Sequence, residues 1–172
     1  MTRSDNIIEF TLIYNRYKIG IYNYVYKMLF NRTVGEDIVQ NVFLKFFENM
    51  AVIREKENPG VWLFTTARNE VYSFLRTKKS HVDKFNTEDS TEINLYGDVR
   101  LPEEFEAKEL REIILRELEN MPVEQKDIYL LKEYGGFSYK EIAATMNIGE
   151  ELVKSRLSNT RQKLIKRIAK II

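Results

Sequence analysis

The 172-residue chain contains no cysteine and a single histidine, His81. Disulfides, thiolate nucleophiles and every cysteine-based zinc site are thereby excluded, and a His cluster or catalytic triad has nothing to be built from. Long apolar runs are also missing, and the start of the chain, MTRSDNIIEF, is polar and acidic where a signal peptide has a basic start and an apolar stretch. A cytoplasmic protein without membrane insertion is expected, with no metal, no cofactor and no catalytic site. Charge of one sign is lacking too, since 27 Lys and Arg face 26 Asp and Glu. What is present is side-chain bulk: 44% of residues are hydrophobic, with 10 Tyr, 10 Phe and 1 Trp. That is enough to fill one ordinary core or two small ones.

Near-neutrality hides a segregation. Residues 1–80 carry 12 basic and 8 acidic side chains, residues 81–105 carry 2 and 7, and residues 106–172 carry 13 and 11. The acidic middle coincides with a loss of helical periodicity between Lys78 and Pro102. Before it, apolar residues recur at three-and-four spacing from Phe10 to Met28. Thr33-Val34-Gly35-Glu36 has the form of a capping box, opening a second helix through Ile38, Val42 and Phe46 that is expected to fray near Asn49. Asn58-Pro59-Gly60 breaks the chain and opens a third helix, expected to end near Thr77. After the acidic stretch, a fourth helix is expected to turn Leu110, Ile113, Ile114 and Leu118 inward, and a fifth to run from Met121-Pro122 to Gly135-Gly136. No strand-like alternation of useful length occurs. The expected fold is all-α: two small helical domains, residues 1–79 and 103–172, joined by a flexible acidic linker, residues 80–102.

The last third of the chain has the pattern of a DNA-reading device. Ser138-Tyr139-Lys140-Glu141 is a capping box for a short helix, and Asn147-Ile148-Gly149 is a tight turn in which Asn tolerates the left-handed conformation. A longer helix follows, with Val153, Leu157, Thr160, Leu164 and Ile168 on one face. Short helix, tight turn and longer helix make a helix-turn-helix, whose second helix enters the major groove. The opposite face carries Glu151, Lys154, Ser155, Ser158, Asn159 and Gln162, which can meet base edges. From Lys154 onward there are seven basic residues and no acidic one, read as a single phosphate-facing stripe.

These residues carry a resemblance. Glu36-Asp37-Ile38-Val39-Gln40-Asn41-Val42-Phe43-Leu44, Trp62-Leu63-Phe64-Thr65-Thr66-Ala67-Arg68-Asn69, Met121-Pro122, Ser138-Tyr139-Lys140-Glu141-Ile142-Ala143 and Val153-Lys154-Ser155-Arg156-Leu157 follow, in order, motifs of the extracytoplasmic-function sigma factors. The chain resembles that family over roughly residues 7–79 and 106–167. The resemblance implies a small bacterial subunit that binds core RNA polymerase and directs it to promoter DNA. It implies a region 2-like domain that docks on the polymerase and meets the minus-ten element, and a region 4-like domain that meets the minus-35 element. An anti-sigma factor is a further implied partner.

Candidate residues follow. Asp37, Gln40, Asn41 and Leu44 are expected to form the polymerase-docking surface, Leu44 being an apolar residue amid a polar face. Asn58, Arg68, Asn69, Ser73, Arg76, Lys78 and Lys79 are expected at the minus-ten element. Lys154, Ser155, Ser158 and Asn159 are expected to read the minus-35 element, with Lys140, Arg156, Arg161 and Lys163 contributing to its binding. Trp62 is expected to fill the core. The acidic linker is expected either to imitate nucleic acid in a basic polymerase channel or to serve as a solubilising spacer. A stand-alone helix-turn-helix regulator remains the alternative, and it leaves the first 79 residues without a task.

Overall fold

A computed structural model describes residues 2–56, 58–80 and 105–171. Of the expected acidic linker, Ser80 ends α3 and the rest, with His81, lies outside the described residues, as does the side chain of Lys79. Every regular element among the described residues is an α-helix: α1 (Arg3–Leu29), α2 (Arg32–Lys56), α3 (Pro59–Ser80), α4 (Phe105–Glu119), α5 (Val123–Glu133), α6 (Tyr139–Met146) and α7 (Glu150–Ile171). They fall into two compact units that divide near Asp89 and Ser90.

In the first unit α1, α2 and α3 pack against one another. α1 starts on a capping box the periodicity did not announce: the Thr2 hydroxyl accepts from the Asp5 N–H, and the Asp5 carboxylate accepts from the Thr2 N–H at 2.9 Å. Those bonds hold the Asp5 carboxyl below its ordinary pKa. The helix ends at Phe30, a left-handed C-cap at φ 49°, and only Asn31 separates it from α2. That tight link overrides the expected Thr33–Glu36 box. Thr33 is already inside α2, the Asn31 side-chain carbonyl accepts from the Val34 N–H at 3.1 Å, and Glu36 pairs with Arg32 at 3.1 Å. Nor does α2 fray at Asn49. Met50 and Ile53 are buried and carry the helix on to Lys56, while the Asn49 amide donates to the Lys45 carbonyl at 2.7 Å.

α3 begins at Pro59 and runs to Ser80, three residues past the expected end. Gly60 at its start lets α1 and α3 approach closely, since a β-carbon there would sit 2.8 Å from the Tyr17 ring of α1. The core of the unit is Ile21, Tyr24, Val25, Met28, Val42, Phe43, Phe46, Leu63, Phe64 and Val71, all nearly inaccessible. Trp62 lies 5.8 Å from Phe46, ring to ring, as an expected core residue should, although part of it stays accessible. A row of aromatics, Phe10, Tyr14 and Phe47 around the buried Phe43, joins α1 to α2 through edge-on contacts at 4.9–6.4 Å.

In the second unit α7 packs on α4, α5 and α6. Its core is Leu118, Ile128, Leu130, Leu131, Phe137, Ile142, Val153, Leu157 and Leu164. Of the expected inner face of α4, Leu118 is fully buried, Ile113 and Ile114 partly, and Leu110 is 40% exposed, because α4 packs chiefly on α7 and Leu110 lies towards its outer end. α5 closes through Gly136 at φ +64°, with the Phe137 N–H donating to the Leu131 carbonyl at 3.2 Å.

Candidate nucleic-acid and partner interfaces

The helix-turn-helix is formed as its capping signals require. The Ser138 hydroxyl accepts from the Glu141 N–H at 3.1 Å, and the Glu141 carboxylate accepts from the Ser138 N–H at 3.0 Å. Asn147 takes the left-handed conformation at φ 55°, ψ 49°, and the Ile148 N–H donates to the Ala143 carbonyl at 3.0 Å. Val153, Leu157, Thr160 and Leu164 lock α7 onto its unit, the Thr160 hydroxyl being satisfied by the Arg156 carbonyl at 2.8 Å. Fixing that face leaves Glu151, Lys154, Ser155, Ser158, Asn159 and Gln162 all exposed.

The basic residues of α7 do not form one stripe. At 3.6 residues per turn, Lys154 and Arg161 stand on one flank, while Arg156, Lys163 and Lys166 stand on the other. The first flank is already engaged. Lys154 meets Glu151 at 3.3 Å and lies over the Tyr139 ring at 5.8 Å, and Lys132 lies over the same ring at 4.8 Å. Arg161 meets Glu133 of α5 at 2.9 Å, a bond that raises the guanidinium pKa further. On the second flank Arg167, turned towards α4, meets Glu117 at 3.1 Å. Lys140 is exposed on α6. Sequence reasoning missed Tyr139 and Lys132 as partners of this flank, since ring contacts between helices leave no spacing signal.

On the first unit, Asp37, Gln40, Asn41 and Leu44 share the exposed face of α2. Leu44 is 59% exposed, and it borders an apolar hollow of about 500 Å³ with Phe10, Tyr14, Gln40, Phe43 and Phe47. The contribution of α1 to this surface, Phe10 and Tyr14, was read from periodicity only as core. A half-buried aromatic on an amphipathic face obeys the same spacing as a buried one.

α3 presents Asn69, Ser73 and Arg76 on one exposed face at spacings of four and three, with Lys78 exposed beyond them. Arg68 is half-buried, its guanidinium 4.6 Å from the centre of the Tyr72 ring. Asn58 stands apart from this face at the start of α3, where its side-chain carbonyl accepts from the Gly60 N–H at 2.8 Å. Its amide N–H groups remain to donate. Among the described residues no group of carboxylates or imidazoles is arranged to hold a metal, and no helix is long and apolar enough to cross a membrane.

Two stretches match known families: residues 13–81 match Sigma-70 region 2, and residues 111–164 match Sigma-70, region 4. The chain is 28% identical over 142 residues to the ECF RNA polymerase sigma-E factor of Escherichia coli K12, covering 79% of this chain and 74% of that protein. It is 27% identical over 146 residues to the ECF RNA polymerase sigma factor SigL of Mycobacterium tuberculosis, covering 84% and 80%. Among solved structures, the fold is similar to the sigma factor RpoE in complex with the anti-sigma factor NepR from Bartonella quintana, with a TM-score of 0.67 at 22% identity over 96% of this chain and 97% of that one. It is also similar to CnrH in complex with the cytosolic domain of CnrY, with a TM-score of 0.62 at 17% identity, covering 96% and 91%. With both sigma-70 regions present in order and relatives matched over most of their length, the chain belongs to the sigma-70 family, as a member of its extracytoplasmic-function group.

Proposed function

We propose that this chain binds core RNA polymerase and directs promoter-specific transcription initiation, with α2 as the docking surface, α3 at the minus-ten element and α7 at the minus-35 element. It is a regulatory subunit, and the bond-forming chemistry belongs to the polymerase. One observation carries the reading: the same chain holds a built helix-turn-helix and, on its other unit, an exposed Leu44 beside an aromatic hollow that a DNA-binding module alone does not require. Such an apolar recess amid polar residues is what a protein partner fills. Gln40 lines it, and Asp37 and Asn41 on the same exposed face of α2 add acceptors that a basic partner helix would satisfy.

Phosphate contacts from α7 supply affinity, and Lys154, Ser155, Ser158 and Asn159 supply the choice of sequence. Asn69, Ser73 and Arg76 form the matching face on α3, Arg68 stiffens it through the Tyr72 ring, and Asn58, Lys78 and Lys79 flank it in sequence. An anti-sigma factor is a further proposed partner, supported by a solved sigma factor of this fold that is complexed with one. The test is run-off transcription from a promoter library with and without core polymerase. Specific initiation that needs both proteins is expected. Specific promoter binding by the chain without core polymerase would favour the stand-alone regulator.

A further inference from the structure

We propose that the ion pair between Lys45 of α2 and Glu70 of α3 sets how α3 presents Asn69 and Ser73 to the minus-ten element, with Glu70 as the positioning residue and Lys45 as its anchor. The proposal rests on the promoter-binding reading and adds two residues that act through Asn69 and Ser73 rather than on DNA. The Lys45 ammonium donates to the Glu70 carboxylate across the seam where α2 and α3 pack. Lys45 is half exposed and Glu70 largely covered, so the cation reaches in to a carboxylate held at the seam. Each partner directly follows a residue of a proposed interface, Leu44 on α2 and Asn69 on α3. Successive residues of a helix stand about 100° apart. Lys45 is thereby turned off the docking face towards α3, and Glu70 off the promoter face towards α2.

What grips α3 changes along its length. Near its start large rings hold it, Trp62 lying 5.8 Å from Phe46 of α2 and Phe64 5.8 Å from Tyr24 of α1. At the level of Asn69 and Ser73 the buried side chains are Ala67 and Val71, short groups that interlock less with their neighbours. A side-chain tip stands about 5–6 Å from the helix axis, so a roll of about 10° moves it by about 1 Å. That is enough to spoil a hydrogen bond to a base edge. The ion pair opposes such a roll where the packing is thinnest. It also cancels a charge, because without Lys45 the Glu70 carboxylate would stand bare within one turn of Asn69 and Ser73 and repel incoming phosphates. The two partners should therefore fail differently.

The experiment uses the holoenzyme, full chain plus core polymerase, on promoter fragments in which each minus-ten base pair is permuted in turn. It reads the preference among bases, the overall promoter affinity and the core-polymerase affinity. Glu70→Gln should lower the preference at the positions read by α3 about 2- to 5-fold, with overall affinity equal or tighter because Lys45 is freed. Lys45→Met should lower preference and affinity together. Lys45→Arg should stay near wild type, and Lys45→Glu combined with Glu70→Lys should recover the preference. Glu9→Gln breaks the comparable pair with Arg54 between α1 and α2, and this control should leave the preference unchanged. Preference at the minus-35 element should not move in any variant. Unchanged minus-ten preference in Glu70→Gln and Lys45→Met overturns the assignment, as does a charge swap that recovers nothing. A loss confined to core-polymerase affinity overturns it too and makes Lys45 a docking residue. A wild-type holoenzyme indifferent to the minus-ten sequence would instead overturn the promoter reading itself.

Discussion

Arg161 shows how a single side chain can be more than its charge. Its partner Glu133 places a carboxylate beside a proposed phosphate contact, so truncating the arginine both removes a cation and exposes an anion to DNA. Arg161→Ala should therefore weaken promoter binding more than Glu133→Gln combined with Arg161→Ala, while Glu133→Gln alone should leave binding equal or tighter. Folding stability should move by about 1 kcal/mol or less, because the pair is exposed. Asn147 bears a backbone requirement. Asn147→Ala should cost about 1 kcal/mol in urea unfolding, and Asn147→Gly should cost nothing.

Two neighbours on α5 respond to pH in opposite senses. Burial lowers the Lys126 pKa, with Glu119 opposing, so the folded state holds this proton less tightly than the unfolded state. Its penalty is present at neutral pH and is relieved as pH rises from the folded value towards 10.5. Burial, then Glu133, raises the Tyr129 pKa, so its contribution is present below 10.0 and is lost as pH climbs through the folded value. Denaturation at pH 8–11 should show a steeper alkaline loss in Lys126→Met and a shallower one in Tyr129→Phe.

Among the elements, α3 depends on a contact the sequence does not advertise. Gly60→Ala puts a methyl against the Tyr17 ring, whose outer edge must shift, so the first unit should lose the gain of about 1 kcal/mol that the better helix propensity of Ala would otherwise bring. Adding Tyr17→Leu should recover part of that loss. The seven helices of the described residues were legible from three-and-four spacing, and the Ser138 box and Asn147 turn were legible from residue type, because those signals act within four residues. What escaped was set by contacts between helices. The left-handed Phe30 brings α2 in so early that Asn31 takes the capping role assigned to Thr33, and the burial of Met50 and Ile53 extends α2 past Asn49. The same cause hid Tyr139 and the α1 half of the aromatic hollow, which matter only once two helices lie side by side.

For the whole molecule, the decisive test separates docking from folding. Leu44→Asp should abolish binding to core polymerase while leaving helicity and the unfolding midpoint close to wild type, since the side chain is more than half exposed. A collapse of the fold would place Leu44 in the core, and retained affinity would move the docking surface elsewhere. The chain also carries its own optical address for this measurement. Trp62 is the only tryptophan in the sequence, and it rests on Phe46, two residues along α2 from Leu44. Its emission therefore reports on the first unit, with no indole in the second to confuse it. Occupation of the hollow, or melting of that unit while the second persists, should be readable from unlabelled protein by following this one fluorophore.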